Sequence, residues 1–253
     1  TTIDYSAFYF CTKLSKVEFP TNSKLQTIGK SAFEYTNISQ IYIPSSVLTI
    51  CAYAFDNCKQ LSKVEIPTNS KLQTIGNGAF GDTNIKQLYF PESLMELNEE
   101  WCCDANKLTN ITISPLNDRF MFKENKYLVG KSDTKSDNFD ILLFASRDIT
   151  KIKIPSNIKI ISSYAFNYCK NLSKVEIPND SNLETIGEYA FSDTSIKQID
   201  IPSKVINIKR KAFSFCDKLS RVEIPINSKL QIIEESLFEY ANTGIAKQTR
   251  VIC

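Results

Sequence analysis

Along most of the chain the apolar positions recur in one order, seen in Leu61, Val64, Ile66 and Pro67, followed after a spacer by Leu72, Ile75, Ala79 and Phe80. Val64 and Ile66 alternate with Lys63 and Glu65, a period of two that predicts a strand with one buried face. Pro67 ends that strand, because proline has no N–H to give to a ladder. The stretches "IGNGAF" and "IGEYAF" are too short for a full helix and suit a single helical turn.

The same order returns at a fixed step. Its marker is an apolar residue before proline: Phe19-Pro20, Ile43-Pro44, Ile66-Pro67, Phe90-Pro91, Ile154-Pro155, Ile177-Pro178, Ile201-Pro202 and Ile224-Pro225. The steps are 24, 23 and 24, then a gap, then 23, 24 and 23, so two slightly different units alternate in a 47-residue super-repeat. A unit of this size cannot bury its apolar edge alone, and successive units must stack. The predicted object is a solenoid with one parallel strand per 23–24-residue coil, the strands forming a continuous sheet.

The segment "LSKVEIPTNSKLQTIGNGAF" and its copies resemble the BspA-like subclass of leucine-rich repeats, from Ile3 to about Tyr240 with one interruption. The resemblance implies an α/β, horseshoe-like solenoid with the sheet on the concave side and short helical turns on the convex side. It also implies a surface or secreted protein that adheres to host proteins or other cells. The expected organisation is one solenoid over 1–253, with repeat blocks 1–114 and 149–253 around an insertion at 115–148.

Charge and composition narrow the chemistry. Thirty Lys and Arg against 28 acids give a net charge of +2, no basic field that would attract nucleic acid. With no histidine, the chain lacks the usual neutral-pH base and the commonest metal ligand. Its seven glycines form no phosphate cradle. No catalytic residue, cofactor or metal is expected, and no apolar run reaches the roughly 18 residues of a membrane span. The start "TTIDYSAF" falls mid-unit and is no signal peptide, so a fragment is expected, with any signal or anchor outside it. At the other end "EYANTGIAKQTRVIC" leaves the repeat frame, as a cap or as a tail. Asn37, Asn110, Asn171 and Asn179 open N-x-Ser/Thr sequons.

A cysteine heads four copies, in "CTKLSKVEFP", "CKQLSKVEIP", "CKNLSKVEIP" and "CDKLSRVEIP". Cys11 and Cys58, like Cys169 and Cys216, lie two coils apart, or about 10 Å at ~4.8 Å per coil. A disulfide needs about 7 Å or less. These four are expected to be small buried packing residues. Cys102 falls in the slot of Phe55 and Ala105 in that of Cys58, so the coil with the vicinal pair Cys102-Cys103 is irregular. After Ile113 the next marker is Ile154, which leaves about eighteen extra residues. Apolar clusters at 120–122, 127–129 and 139–144, between the polar turns "KEN" and "KSDTKSDN", predict a hairpin or three short strands. That insert is either a binding knob or a plug over a break in the sheet.

The residues flanking the central apolar position of each strand point away from the core. One row is Lys16, Gln40, Lys63, Gln87, Asn110, Lys151, Lys174, Gln198 and Arg221. The other is Glu18, Tyr42, Glu65, Tyr89, Thr112, Lys153, Glu176, Asp200 and Glu223. A polar, nearly neutral face with tyrosines suits a protein partner better than a polyanion. The expectation is a non-enzymatic module binding a host, matrix or cell-surface protein through this face. The alternative is a spacer in a longer surface stalk, its exposed polar residues serving solubility alone.

Overall fold

The computed structural model describes residues 1–234 and 236–241. The chain divides into two compact units, Thr1–Asn125 and Lys126–Cys253. Residues 242–253, most of the segment that leaves the repeat frame, lie outside the described residues, as does Cys253.

Each unit is built of stacked coils, and each regular coil carries two strands where the sequence predicts one. In the first unit Thr2–Ile3, Thr27–Ile28, Thr49–Ile50, Thr74–Ile75 and Glu96–Leu97 form an unbroken parallel ladder. The Val/Ile-centred strands form a separate row. Gln40–Tyr42 pairs with Lys63–Glu65, and Gln87–Phe90 with Asn110–Ile113. The second unit repeats the plan. Its ladder runs through Ile141–Ala145, Ile160–Ile161, Thr185–Ile186, Asn207–Ile208 and Ile232–Ile233. Its other strands pair as Lys151–Lys153 with Lys174–Glu176, and Gln198–Asp200 with Arg221–Glu223.

The expected continuous sheet is therefore broken into pairs, and the 23/24 alternation explains the break. Among the described residues every hydrogen-bonded pair of these Val/Ile-centred strands spans a 23-residue step, and none spans a 24-residue step. The extra residue takes the next strand out of register. The first copy, Leu14 to Phe19, precedes a 24-residue step and forms no strand, a correction to the expectation of one strand in every coil.

The predicted helical turns are absent too: among the described residues there is no helix. In their place every second amide bonds to the next coil, as Ser31 N, Phe33 N and Tyr35 N do to Ala52 O, Ala54 O and Asp56 O at 3.0, 2.9 and 3.0 Å. The amides between them, of Ala32, Glu34 and Thr36, close local turns onto Gly29, Ser31 and Phe33. An α-helix commits its amides to its own i−4 carbonyls and would leave none for stacking. Two residues per coil, four apart, sit at positive φ to allow this path: Ser31 and Tyr35, Tyr53 and Asn57, Tyr189 and Asp193. The described part of the fold is thus an all-β solenoid rather than an α/β one.

Phenylalanine columns run through the core. Phe8, Phe33, Phe55 and Phe80 stack at 5.2, 5.4 and 5.7 Å between centroids. Phe166, Phe191, Phe213 and Phe238 do the same at 4.9, 5.5 and 5.9 Å. Phe80 N bonds Trp101 O, the position its predecessors give to alanine, so Cys102 stands in the next phenyl slot.

Between the repeat blocks, Tyr127–Gly130 lies antiparallel to Ile141–Ala145, with a bulge at Leu128/Val129. Tyr127, Val129, Leu142 and Ala145 join the second unit's core, so the hairpin turns its apolar side inward. Its connecting loop is tied by buried Asp140, which accepts from Ser132 N at 2.8 Å and Ser132 Oγ at 2.7 Å and pairs with Lys159 at 3.2 Å. Burial opposes the charge on Asp140, but those bonds outweigh it and lower its pKa. Phe120–Lys123 belongs to the first unit, where Phe120 meets Phe90 edge-on.

Candidate functional site

The paired strands show the alternation their sequence predicts. Gln40, Tyr42, Lys63, Glu65, Gln87, Asn110, Thr112, Lys151, Lys153, Lys174, Glu176, Gln198, Asp200 and Arg221 are exposed, Tyr89 and Glu223 are half-buried, and the residues between face the core. Lys16 and Glu18 are exposed on unpaired backbone. Tyr42, 47% exposed, sits in register beside Glu65, and the strand carrying Tyr89 lies next to that of Glu65.

Most charges on this face are balanced locally. Lys16 pairs with Glu18 at 2.6 Å, Lys63 with Glu65, and Arg221 with Glu223, each within one stretch of chain. Lys153 reaches Glu176 on the neighbouring strand at 3.4 Å. Lys151 and Lys174 stand side by side in register, as do Asp200 and Glu223. Exposed pairs of this kind contribute little to stability, about 0–1 kcal/mol. Their effect is to leave the face close to neutral.

The cysteines separate from this face. Cys58, Cys169 and Cys216 are fully buried. Cys58 donates from Sγ to Phe33 O at 3.0 Å and contacts Thr36 Oγ1 at 3.3 Å; Cys216 does the same with Phe191 O at 3.1 Å and Thr194 at 3.3 Å. Each thiol thus satisfies a carbonyl of the coil before it, which explains why a small residue with a weak donor recurs at this slot. Cys11 is the correction: it is exposed, and no described coil lies before its own to present such a carbonyl. Burial pushes up the pKa of Cys51, Cys58, Cys103 and Cys169, and that of Cys216 to about 11. Such thiols hold little thiolate at neutral pH and are poor nucleophiles.

All seven described cysteines are free. Unfolded under non-reducing conditions, the protein should therefore be alkylated at each of them. Peptide mapping that finds Cys58, Cys169 or Cys216 protected would contradict their assignment to packing.

Another chemistry-bearing cluster lies in the first unit, where Glu34, Asp56, Asp82 and Cys103 gather on the turn segments. Burial raises Asp56 to about 6, opposed by a hydrogen bond from Asn57. Asp82 is held by Lys59 at 3.1 Å. No group of three or more metal-ligating side chains converges among the described residues. No described helix is long and apolar enough to cross a membrane. Of the sequons, Asn37 donates to Thr12 O at 2.6 Å, and Asn110, Asn171 and Asn179 are exposed.

A feature that strand patterning misses is a groove of about 670 Å³ in the second unit, behind the Ile-Pro ends of its last two strand copies. Asp200, Glu223 and the shelf Ile201-Pro202, Ile224-Pro225-Ile226 line it. The signal for it is Ile226 itself, an apolar residue after Pro225 where the other Ile-Pro or Phe-Pro copies carry Thr, Ser, Glu or Asn.

With this geometry in view, the comparisons with known proteins are consistent. The family described as "BspA type Leucine rich repeat region" matches residues 1–120 and 140–249 in six copies. The pneumococcal vaccine antigen PcpA superposes with a TM-score of 0.75 at 22% identity, over 87% of this chain and 59% of that one. A leucine rich cell surface protein of Faecalibacterium prausnitzii A2-165 gives 0.69 at 22%, over 96% and 75%. A leucine-rich repeat protein of Bacteroides ovatus ATCC 8483 gives 0.62 at 27%, over 91% and 54%. The chain thus spans 59% of the length of the PcpA structure. No curated protein sequence matches it.

Proposed function

Because the chain belongs to the BspA-type leucine-rich repeat family, we propose that it is a non-enzymatic binding module that engages a host, matrix or cell-surface protein through the outward face of its paired strands. The observation that carries this reading is the Tyr42, Glu65, Tyr89 row, two aromatic side chains flanking a carboxylate on an otherwise polar and balanced surface. Tyrosine presents a large, rigid contact area with a polar tip, and interfaces concentrate their energy in such residues. The face is near neutral, which favours protein over nucleic acid. The raised thiol pKa values and the lack of histidine support a scaffold role over catalysis. A surface or secreted location is part of the proposal, supported by the cell-surface description of the Faecalibacterium protein.

A spacer role in a longer stalk is the second reading. It draws on the in-strand pairs Lys16–Glu18, Lys63–Glu65 and Arg221–Glu223, which leave those charges already satisfied. Alanine at Tyr42, Glu65 and Tyr89 together separates the two. Pull-down from host-cell surface and matrix extracts, followed by titration of the captured protein, should show at least about a tenfold loss of affinity with an unchanged thermal midpoint. Undiminished adhesion by the folded variant would discard the outward-face reading in favour of the spacer.

A further inference from the structure

We infer that the groove behind Asp200 and Glu223 takes a basic, partly apolar peptide segment of a protein partner, with a lysine or arginine over the two carboxylates and an aliphatic side chain on the Ile-Pro shelf. The inference deepens the proposed binding role and rests on it only in placing the partner among proteins.

Three observations carry it. The first is size: about 670 Å³ holds a few side chains, within the range of small-ligand and peptide pockets. The second is charge. The ten lining residues include two acids and no base, and Asp200 and Glu223 are direct register partners on adjacent strands. Like charges side by side in a ladder repel, and a cation between them relieves that. Arg221 pairs with Glu223 and also feels Asp200, so it offsets one of the two charges. Asp200 has no ion-pair partner among the described residues, and the groove keeps a net negative charge.

The third is the departure from the repeat. The seven other copies place serine, threonine, asparagine or glutamate after the apolar-proline step, and only here does an isoleucine follow. Ile226 is 77% exposed and gains nothing from the core, so duplication and packing both leave it unexplained. Together with Pro202 and Pro225 it makes an apolar shelf beside the acids. An aliphatic stem ending in a cation is complementary to that pairing, because lysine and arginine lay their methylenes on apolar surface and keep the charge at its edge.

The test uses the full chain and fluorescence anisotropy with a labelled KKLKK peptide, and EELEE as its charge-reversed counterpart. KKLKK should bind and EELEE should not. Asp200→Asn with Glu223→Gln should weaken KKLKK about tenfold, and Ile226→Ser, which restores the residue type of the other copies, about threefold, with thermal midpoints unchanged. Absence of KKLKK binding, equal binding of EELEE, or unaltered affinity in both groove variants overturns the inference. So does binding that emerges only when Lys247 and Arg250 are changed to glutamate, since the chain's own end would then be the occupant. Failure here is distinct from failure of the wider reading. That reading is tested at Tyr42, Glu65 and Tyr89 in the other unit, with a different probe.

Discussion

Phe191→Ala should destabilise the second unit by about 3–5 kcal/mol, the largest loss expected from any single side chain of the repeat. Phe191 is fully buried, with Phe166 at 4.9 Å and 3° on one side and Phe213 at 5.5 Å and 6° on the other. Truncation removes the transfer energy of the ring and leaves a void that the neighbours cannot fill. Their spacing is fixed by backbone bonds, Phe166 N to Ala190 O and Phe191 N to Ala212 O, both 2.8 Å. Those bonds hold the coils apart at the strand repeat whether or not a ring lies between them. Urea denaturation would measure the loss. A change under about 1 kcal/mol would mean that the column collapses around the gap and that stacking does not set the core's stability.

Gly76→Ala should cost about 1–3 kcal/mol in the first unit, the reverse of its effect at an unhindered glycine. Where space and backbone conformation allow, alanine in place of glycine stabilises by about 0.4–1 kcal/mol through the unfolded state. At Gly76 the space is missing. A Cβ there would stand 2.5 Å from Ala52 N and 2.7 Å from Cys51 C, both backbone atoms of the preceding coil that cannot rotate aside. The coils would have to part just where Gly76 N bonds Ile50 O at 2.8 Å. The sign alone decides this prediction: a rise in thermal midpoint would show that the coils separate freely and that close approach is not the reason for glycine.

How far the chain announces this structure depends on which interactions leave a periodic trace. Burial does, because a side chain must face the core at each strand copy, and Val64 and Val175 are buried between exposed neighbours as their alternation requires. The stacking of coils was legible for the same reason. The Thr-Ile ladder was not, since two residues are too few to show a period of two. The turns at 29–36 and their copies read as single helical turns because their length suits one turn and they show no strand alternation. That reading fails because the amides needed for a helix are taken by the adjacent coil, a tertiary demand that local composition does not reveal. Cys58, Cys169 and Cys216 were legible as packing residues from their spacing, Cys11 was not, and the bonds of Cys58 to Phe33 O and Cys216 to Phe191 O leave no trace in the sequence. At the outward face the sequence identified which residues are displayed. It also gave the near neutrality of the face, but not which side chains pair, such as Lys63 with Glu65, nor that Asp200 and Glu223 border a groove. The first depends on side-chain conformation within one strand, the second on distances across coils.

The pairing of strands in twos also sets a rule for how such a chain can grow. In two of the four strand pairs a cysteine coil rests on a threonine coil, Cys58 on Thr36 and Cys216 on Thr194. Copying a single coil would set like on like, losing both the thiol–hydroxyl contact and the 23-residue step that aligns two strands. Copying 47 residues preserves both. On that rule the unit to copy is the couple, and coils added to such a stack should come in twos.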